Sequence, residues 1–323
     1  MSNANTSESV NLSSTASSSF ISRNFKFWSY LIFLVPSILC SLFVLYHLLF
    51  DRTLRRSLNN HVIILLLFTV LLCEVSNYPW MLYYYAHNNV WQRSFVFCSI
   101  WGFFDWAIYI LQLMLFAWAS IERHILIFHD KWVSTDRKRF YVHYLPVIVI
   151  LIYWLIFYSV VYFFPPCRNV QNNGSMVCIT ACIFNNFPFR AFETFFNNII
   201  PSLIIVFASA ALLWRVLRQR YRVRQQIQWR KHRKMTVQLL WISALYLLIT
   251  APLAIIIFLG LCGLLANIGT AFGTLAIYAS YYIVLLFPFV SLLSLPELYI
   301  KLKKMLHLQR RIERRRNNQV TPK

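Results

Sequence analysis

The chain has little charge, few acidic residues and few glycines. Only 13% of its 323 residues are charged, 10 are acidic and 6 are glycine. Soluble domains are about a quarter charged, so this composition excludes a soluble domain of useful size. The hydrophobic fraction of 59% and the aromatic fraction of 18% instead predict an all-α membrane protein that crosses the bilayer several times.

The apolar segments also lack the features of several other membrane-protein classes. Residues 269–293 contain no lysine, which a retinal Schiff base requires. Most of the histidines lie outside the apolar segments, which argues against a membrane-embedded metal hydrolase. No ring of polar pore residues or broken pair of helices around a midplane site is visible, as channels and transporters need. We therefore expect no enzyme activity, no metal and no cofactor.

Seven apolar segments are long enough to cross a bilayer, which takes about 20 residues each. We expect a seven-transmembrane helix bundle over residues 28–295, with a disordered extracellular tail before it at 1–27. Residues 296–323 are expected to form a short cytoplasmic amphipathic helix and a basic tail. The seven predicted spans are 28–50, 60–85, 98–123, 144–164, 194–215, 236–259 and 269–293.

The positive charge predicts the orientation. Most of the 31 lysines and arginines fall in the loops after the odd-numbered spans and in the C-terminal tail. This bias places the N-terminus outside and the C-terminus in the cytoplasm of a multi-pass plasma-membrane protein. Glycosylation sequons at Asn5, Asn11 and Asn173 all fall on the side assigned to the exterior. The net charge of +21 lies in short loops rather than on one continuous face, so we expect membrane lipids and no nucleic acid as partners.

Four cysteines, Cys98, Cys167, Cys178 and Cys182, map to the exterior, where disulfides persist. They allow three pairings. We favour Cys98 with Cys182, which ties the top of span three to the long outer loop, and Cys167 with Cys178 within that loop. Cys98 with Cys178 is the alternative.

Span three carries charge at both ends. Asp105 lies in its outer half, and the triplet Glu122-Arg123-His124 lies at its inner end. An apolar helix holds a charge only where a partner or water meets it. These residues therefore predict a sensing site on one side and a reporting site on the other.

Together these features resemble the rhodopsin-like (class A) G protein-coupled receptors, including invertebrate peptide and amine receptors, over residues 28 to about 310. Cys98 falls at the family's disulfide position, and Glu122-Arg123-His124 is similar to its Asp-Arg-Tyr triplet. Pro252 and Pro288 fit the kinks of helices six and seven.

The resemblance implies a receptor that signals to a heterotrimeric G protein. It implies that Glu122 holds Arg123 until activation, and that Glu122, Arg123, His124, Pro252 and Pro288 form the switch. The likeness fails at the bundle centre: Val70 replaces the sodium-binding Asp, and Phe287 and Ser291 replace the Asn and Tyr of Asn-Pro-x-x-Tyr. Losing these polar partners together is physically consistent, because a half-satisfied buried network is less stable than an apolar one.

Asp105 matches the position at which amine receptors of this family bind the ligand's ammonium, and Tyr281 matches a tyrosine that faces it. Trp101 and Trp106 would wall the acid, which suits a cation through charge pairing and cation–π contact. The alternative is an acid satisfied internally by Tyr281 and water. No ligand role would then follow.

Glu193 and Asn197 match further pocket positions, with pairing of Glu193 to Arg190 as the alternative. Two acids favour a ligand with two basic groups, so we expect a short basic or amidated peptide rather than a biogenic amine. For Glu74 we favour a structural role over a place in the pocket floor. A seven-helix protein without signalling is the alternative function, and a transporter a weaker one.

The tail after Pro296 has an amphipathic pattern. Apolar side chains recur on one helical face, with lysines around them. This pattern predicts a helix lying in the membrane interface. The apolar face consists of Leu298, Leu302, Met305 and Leu306.

Overall fold

The structure, a computed structural model, is a helical bundle closed on the outer side by a small β-hairpin. It describes residues 21–55, 58–128, 135–172, 175–221, 226–264, 270–295 and 298–304. The sequons at Asn5, Asn11 and Asn173 lie outside these ranges. Within them, six helices are long and apolar enough to span a membrane, and a bent helix pair gives the seventh span.

Seven labels, α1 to α7, each cover all the helical pieces of one span. Several spans contain a π-helical piece. α1 is Arg23–Phe50; α2 is Leu58–Val75 with Asn77–His87; α3 is Phe95–Gly102, the π-helix Phe103–Ala107 and Ile108–Phe128; α4 is Asp136–Arg139, the π-helix Phe140–Tyr144 and Leu145–Phe163; α5 is Phe187–Phe192, the π-helix Glu193–Ile199 and Ile200–Tyr221; α6 is Gln226–Leu261; α7 is Thr270–Ser280 with Tyr282–Ser294.

The helices extend beyond the predicted spans. α1 begins at Arg23, because the Ser22 side chain accepts a hydrogen bond from the backbone N–H of Phe25 and caps the helix. In the same way Ser94 caps the start of α3. At the opposite end of the bundle from the hairpin, α5 runs to Tyr221 and α6 starts at Gln226. Much of the segment between the fifth and sixth predicted spans is therefore helical.

α3 is the central helix of the bundle. It packs against α2, α4 and α5, while α7 closes the ring between α1 and α6. In its most apolar stretch α3 is 61% buried, whereas α4 is only 11% buried and faces outward. The charged residues of α3 therefore lie where several helices meet.

Three π-helical turns interrupt the described helices, and each carries a polar group inside the bundle. The turn in α3 contains Asp105, the turn in α5 contains Glu193 and Asn197, and the turn in α4 contains His143. π-Turns occur frequently at functional sites.

The outer loop after α4 corrects the favoured disulfide pairing. The disulfides join Cys98 to Cys178 and Cys167 to Cys182, so the predicted Cys98–Cys182 pair is wrong and the alternative partner of Cys98 is right. Strands β1 (Val170–Gln171) and β2 (Ile179–Thr180) form an antiparallel hairpin with Gln171 opposite Ile179. This register places Cys178 at the top of α3.

The C-terminal helix contacts the first inner loop. Lys301 Nζ donates to Asp51 Oδ2 at 2.6 Å, and this contact holds the pKa of Asp51 well below its ordinary range. Residues 298–304 are helical, with Leu298 buried and Leu302 half-buried, as the amphipathic pattern predicts. Met305 and Leu306 lie outside the described residues.

Candidate functional site

Asp105 is held by one of its two carboxylate oxygens. Oδ1 accepts hydrogen bonds from Tyr281 Oη and Asn77 Nδ2, each at 2.9 Å. No hydrogen bond from the described residues reaches Oδ2. The predicted facing of Asp105 and Tyr281 is confirmed, and Asn77 takes the position that the alternative assigned to water.

Trp101 holds Asn77, one of the two hydrogen-bond donors to Asp105, in position. It is fully buried, and its indole N–H donates to Asn77 Oδ1 at 2.8 Å. Its hydrogen bond therefore fixes Asn77, and through Asn77 the carboxylate of Asp105. The prediction that Trp101 walls a ligand is corrected to this supporting role, because no part of its ring is accessible.

Glu193 is held in the same way as Asp105. Its Oε1 accepts from Trp106 Nε1 at 2.8 Å and from Tyr158 Oη at 3.0 Å. No hydrogen bond from the described residues reaches Oε2. The alternative partner Arg190 instead lies over the Phe187 ring, 5.8 Å from its centroid.

Asn197 belongs to the layer that positions Glu193. Its Oδ1 accepts from Tyr153 Oη at 2.9 Å, and its Nδ2 donates to Tyr158 Oη at 3.3 Å. Tyr158 in turn donates to Glu193. Asn197 is itself 1% exposed, so it orients the Tyr158 hydroxyl rather than presenting an amide to a ligand.

Trp106 connects the two acids along the chain, because it follows Asp105 directly and binds Glu193. Both carboxylates belong to π-helical turns of neighbouring helices, α3 and α5. Each is fixed through one oxygen, while the other accepts no hydrogen bond from the part of the chain that the structure describes. Two such oxygens suit a ligand that brings its own hydrogen-bond donors and positive charge.

The outer hairpin packs tightly over this part of α3. A Cβ atom at Gly102 would lie 2.6 Å from Tyr162 Cε1 and 2.7 Å from Ile179 Cγ2. Only glycine allows this approach of α4 and β2 to the helix. The hairpin is thus fixed both by the Cys98–Cys178 disulfide and by contact one turn before Asp105.

α7 bends by 41° next to the residue that binds Asp105. Tyr78 Oη donates to the carbonyl of Tyr281 at 2.5 Å, within the helix break between Ser280 and Tyr282. A side chain inserted into a helical hydrogen-bond ladder is a recognised cause of a bend. The proline expected to kink this helix, Pro288, lies within its second half.

The bundle centre is apolar, as the departures from the family pattern predict. A small cavity there gives the centre of a water molecule about 10 Å³ of room, enough for about one water. Its polar lining atoms, Gln112 Nε2 and Tyr246 Oη, have no hydrogen-bond partner among the described residues. No carboxylate lines it. The lining residues are Leu66, Val70, Gln112, Tyr246, Ile283 and Phe287.

Glu74 joins α1, α2 and α7. Ser41 Oγ donates to its Oε2 at 3.0 Å, and Ser37 Oγ contacts both its Oε1 and the carbonyl of Leu285, the latter at 2.8 Å. A serine hydroxyl has one proton, and a carboxylate and a carbonyl are both acceptors. Both contacts of Ser37 are therefore satisfied only when Glu74 is protonated and donates to Ser37.

Replacing Glu74 with Gln is expected to leave the protein's thermal stability nearly unchanged. The Gln amide donates to Ser37 and accepts from Ser41, so all three hydrogen bonds persist. Glu74→Ala removes the acceptor of the buried Ser41 hydroxyl, leaves Ser37 with only the Leu285 carbonyl and creates a cavity, so it should lower the free energy of unfolding by about 2–4 kcal/mol. Thermal unfolding of the purified variants checks this, and equal losses in the two variants would contradict a neutral Glu74.

The inner residues of α3 are buried among three helices. Glu122 is 2% exposed and contacts His143 of α4 rather than solvent, and Arg123 is 4% exposed. His124 Nε2 donates to the carbonyl of Ala208 in α5 at 2.8 Å. Pro252 lies inside α6. The structure thus adds a contact with α4 that the resemblance did not imply for Glu122.

Several residues of the site were missed by the sequence reasoning. Asn77 and Tyr158 each lie in an apolar span, where a single amide or phenol gives no periodic signal. The isolated amide of Asn77, three residues after Glu74, was the available hint. Both positions became visible only through their contacts with Asp105 and Glu193.

Comparison with known families agrees with this architecture. The family model described as "7 transmembrane receptor (rhodopsin family)" matches residues 40–291, more than three quarters of the chain. A search of curated proteins finds no match.

Proposed function

Because the chain belongs to the rhodopsin family of seven-transmembrane receptors, we propose that it binds an extracellular cationic ligand at Asp105 and Glu193. Receptors of this family signal and are not enzymes, and a multi-pass membrane location follows from the fold. The finer proposals are the cationic ligand, a heterotrimeric G protein as partner, and an N-terminus outside the cell.

The observation that carries the proposal is the shared geometry of the two acids. In each, one oxygen accepts two hydrogen bonds from the protein and the second accepts none from the described residues. Burying a carboxylate without full compensation is costly. A ligand ammonium or guanidinium would supply the missing donor and charge at both positions.

The geometry favours a ligand with two basic groups. The acids project from different helices, α3 and α5, and each has its own supporting tyrosine, Tyr281 or Tyr158. A small monoamine would compensate one carboxylate and leave the second buried without a donor. A short basic or amidated peptide reaches both, and Arg matches a carboxylate through paired N–H groups.

Activation is proposed to be a shift between two bundle packings. Asp105 accepts a hydrogen bond from Tyr281 at the bend of α7. A cation bound at Oδ2 would therefore change the strength of the hydrogen bond that holds Tyr281 at this bend. α7 packs against α6, which contains Pro252. Outward movement of α6 about this proline would open a cleft beside Arg123 for the G protein.

A G protein activation screen with intact cells tests the function. Basic amidated peptides and biogenic amines are added outside, with wild type and Asp105→Asn measured in parallel. We expect a response to a dibasic peptide that the variant loses. A response from outside also requires that the Asp105 end of the bundle is extracellular. Substrate flux without G protein activation would indicate a transporter, and neither response would indicate a non-signalling protein.

A further inference from the structure

Tyr153 of α4 is the last member of a hydrogen-bond chain that starts at Glu193. Tyr158 Oη donates to Glu193 Oε1 at 3.0 Å, and Asn197 Nδ2 donates to Tyr158 Oη at 3.3 Å. Tyr153 Oη then donates to Asn197 Oδ1 at 2.9 Å. Glu193 and Asn197 are 3% and 1% exposed, whereas Tyr153 is half-buried. The chain therefore runs from a buried acid to the seam between α4 and α5.

The direction of each hydrogen bond follows from the carboxylate of Glu193. A carboxylate only accepts, so Tyr158 gives it its single proton. Tyr158 must then accept from the amide nitrogen of Asn197, which leaves the amide oxygen for Tyr153. Tyr153 gives its only proton to that oxygen, and no hydrogen bond from the described residues reaches the Tyr153 oxygen itself. At the seam, Tyr153 thus offers an acceptor and no donor.

This acceptor belongs to a row of four rings, which we call the aromatic patch: Tyr153, Phe157, Phe192 and Phe196. Tyr153 stacks on Phe157 with ring centroids 5.4 Å apart, and Phe157 lies 6.1 Å from Phe192. Phe192 stacks on Phe196 at 4.8 Å. Phe192 is 40% and Phe196 56% exposed, and the apolar stretch of α4 is only 11% buried. The patch therefore faces the membrane.

Tyr153 lies deep in the bilayer. Ten residues separate it from Phe163, the last residue of α4, and this is about 15 Å along a helix, half the thickness of the hydrocarbon. Backbone groups at this depth are satisfied within their own helices. Phospholipid headgroups and sterol hydroxyls stay at the interface, where water meets them. The Tyr153 oxygen is thus an acceptor that the bulk lipids do not reach with a donor.

We propose that the aromatic patch binds a lipophilic molecule that enters from the membrane and carries an aromatic ring with one hydroxyl, the class of an alkylphenol. Its ring stacks on Phe192 and Phe196, and its O–H donates to Tyr153 Oη. In hydrocarbon this hydroxyl has no other partner, so the hydrogen bond forms without competition from water. Because the chain ends at Glu193, a donor at Tyr153 also polarises the hydrogen bonds that hold this acid.

Thermal unfolding in nanodiscs, titrated with para-octylphenol or with its methyl ether para-octylanisole, measures the binding of each probe. The two probes share the ring and the alkyl chain, and only the phenol donates a hydrogen bond. A probe that binds the folded protein raises the unfolding temperature with its concentration. We expect the wild-type protein to bind the phenol about tenfold more tightly than the ether, the effect of one hydrogen bond.

Three variants separate the hydrogen bond from the rest of the patch. Tyr153→Phe removes the acceptor and keeps the ring, so the phenol and the ether should bind equally. Tyr46→Phe is the matched control, because Tyr46 is a 59% exposed tyrosine on α1, and it should retain the tenfold preference. Phe196→Ala removes an exposed ring and should weaken both probes about two- to tenfold. Effects of the probes on the bilayer cancel when their ratio is compared between variants.

Equal affinity of the wild-type protein for the two probes would overturn the proposal. A preference for the phenol that persists in Tyr153→Phe would overturn it as well. If Tyr153→Phe does not fold, Phe196→Ala decides, since unchanged affinity for both probes contradicts a site at the patch. The measurement uses neither an extracellular ligand nor a G protein, so its outcome is independent of the proposed function.

Discussion

Replacing Asp105 with Asn is expected to lower the potency of the cationic agonist about 100-fold, equivalent to about 3 kcal/mol. Asn is isosteric, and its Oδ1 still accepts from Tyr281 and Asn77. The positioning contacts therefore survive, while the charge at the second oxygen position is replaced by an amide that repels a ligand cation's N–H groups. Concentration–response curves for G protein activation measure the shift.

Asp136→Asn is the matched control, because the Asp136 side chain is 98% exposed and remote from the outer site. It should leave potency within about twofold of wild type. Surface expression of both variants must be compared, so that a folding defect is separated from lost binding. A potency in Asp105→Asn equal to that of the control would exclude Asp105 as the ligand's counter-ion.

Loss of both outer disulfides is expected to have the second large effect. Removing one native disulfide typically lowers the free energy of unfolding by about 2–5 kcal/mol. With the observed pairing, Cys98→Ser with Cys178→Ser removes one disulfide, and Cys167→Ser with Cys182→Ser removes the other. Cys98→Ser with Cys182→Ser removes both disulfides, so its loss in free energy of unfolding should be about the sum of the other two losses. Unfolding temperature and surface expression measure these losses.

The three double variants distinguish the pairings without a structure. If Cys98 paired with Cys182, that double variant would remove a single disulfide and would be the mildest of the three, because each of the other two would remove both. Wild type treated with a reducing agent serves as the reference for loss of both. The hairpin carries Ile179 onto Gly102, so we also expect the doubly reduced protein to bind the agonist more weakly.

The number and order of the spans were predictable, because the thickness of the bilayer fixes how long an apolar helix must be. The seven predicted segments correspond to α1 to α7. Their ends were not predictable to the same degree. Arg23 and Gln226 belong to helices that extend beyond their apolar parts, and at Arg23 the cap formed by Ser22 accounts for the extension.

Contacts across the bundle were predictable only where a known pattern supplied them. The pairing of Asp105 with Tyr281 came from the resemblance and is confirmed. The bend at Tyr281 was not foreseen, because its cause is a hydroxyl on α2, Tyr78, which no local feature of α7 reveals. Proline marks a place where a helix has lost a hydrogen bond, but not every place where one is displaced.

The disulfide pairing and the contacts of the buried acids show the same limit. Four cysteines allow three pairings, and the register of β1 and β2 decides between them. In the sequence, Glu74 was expected to have a structural role and Glu122 to hold Arg123. The contacts of Glu74 with Ser37 and of Glu122 with His143 join residues far apart in the chain and follow only from the structure.

The most direct test of the central claim removes the charge from both sides of the proposed contact. An active peptide from the screen is compared with its analogue in which the key Arg is replaced by citrulline, on wild type and on Asp105→Asn. We expect Asp105→Asn to lower the affinity of the parent peptide about 100-fold. The affinity of the uncharged analogue should fall by less than about threefold. Equal losses for the two peptides would show that Asp105 does not bind the ligand's charge.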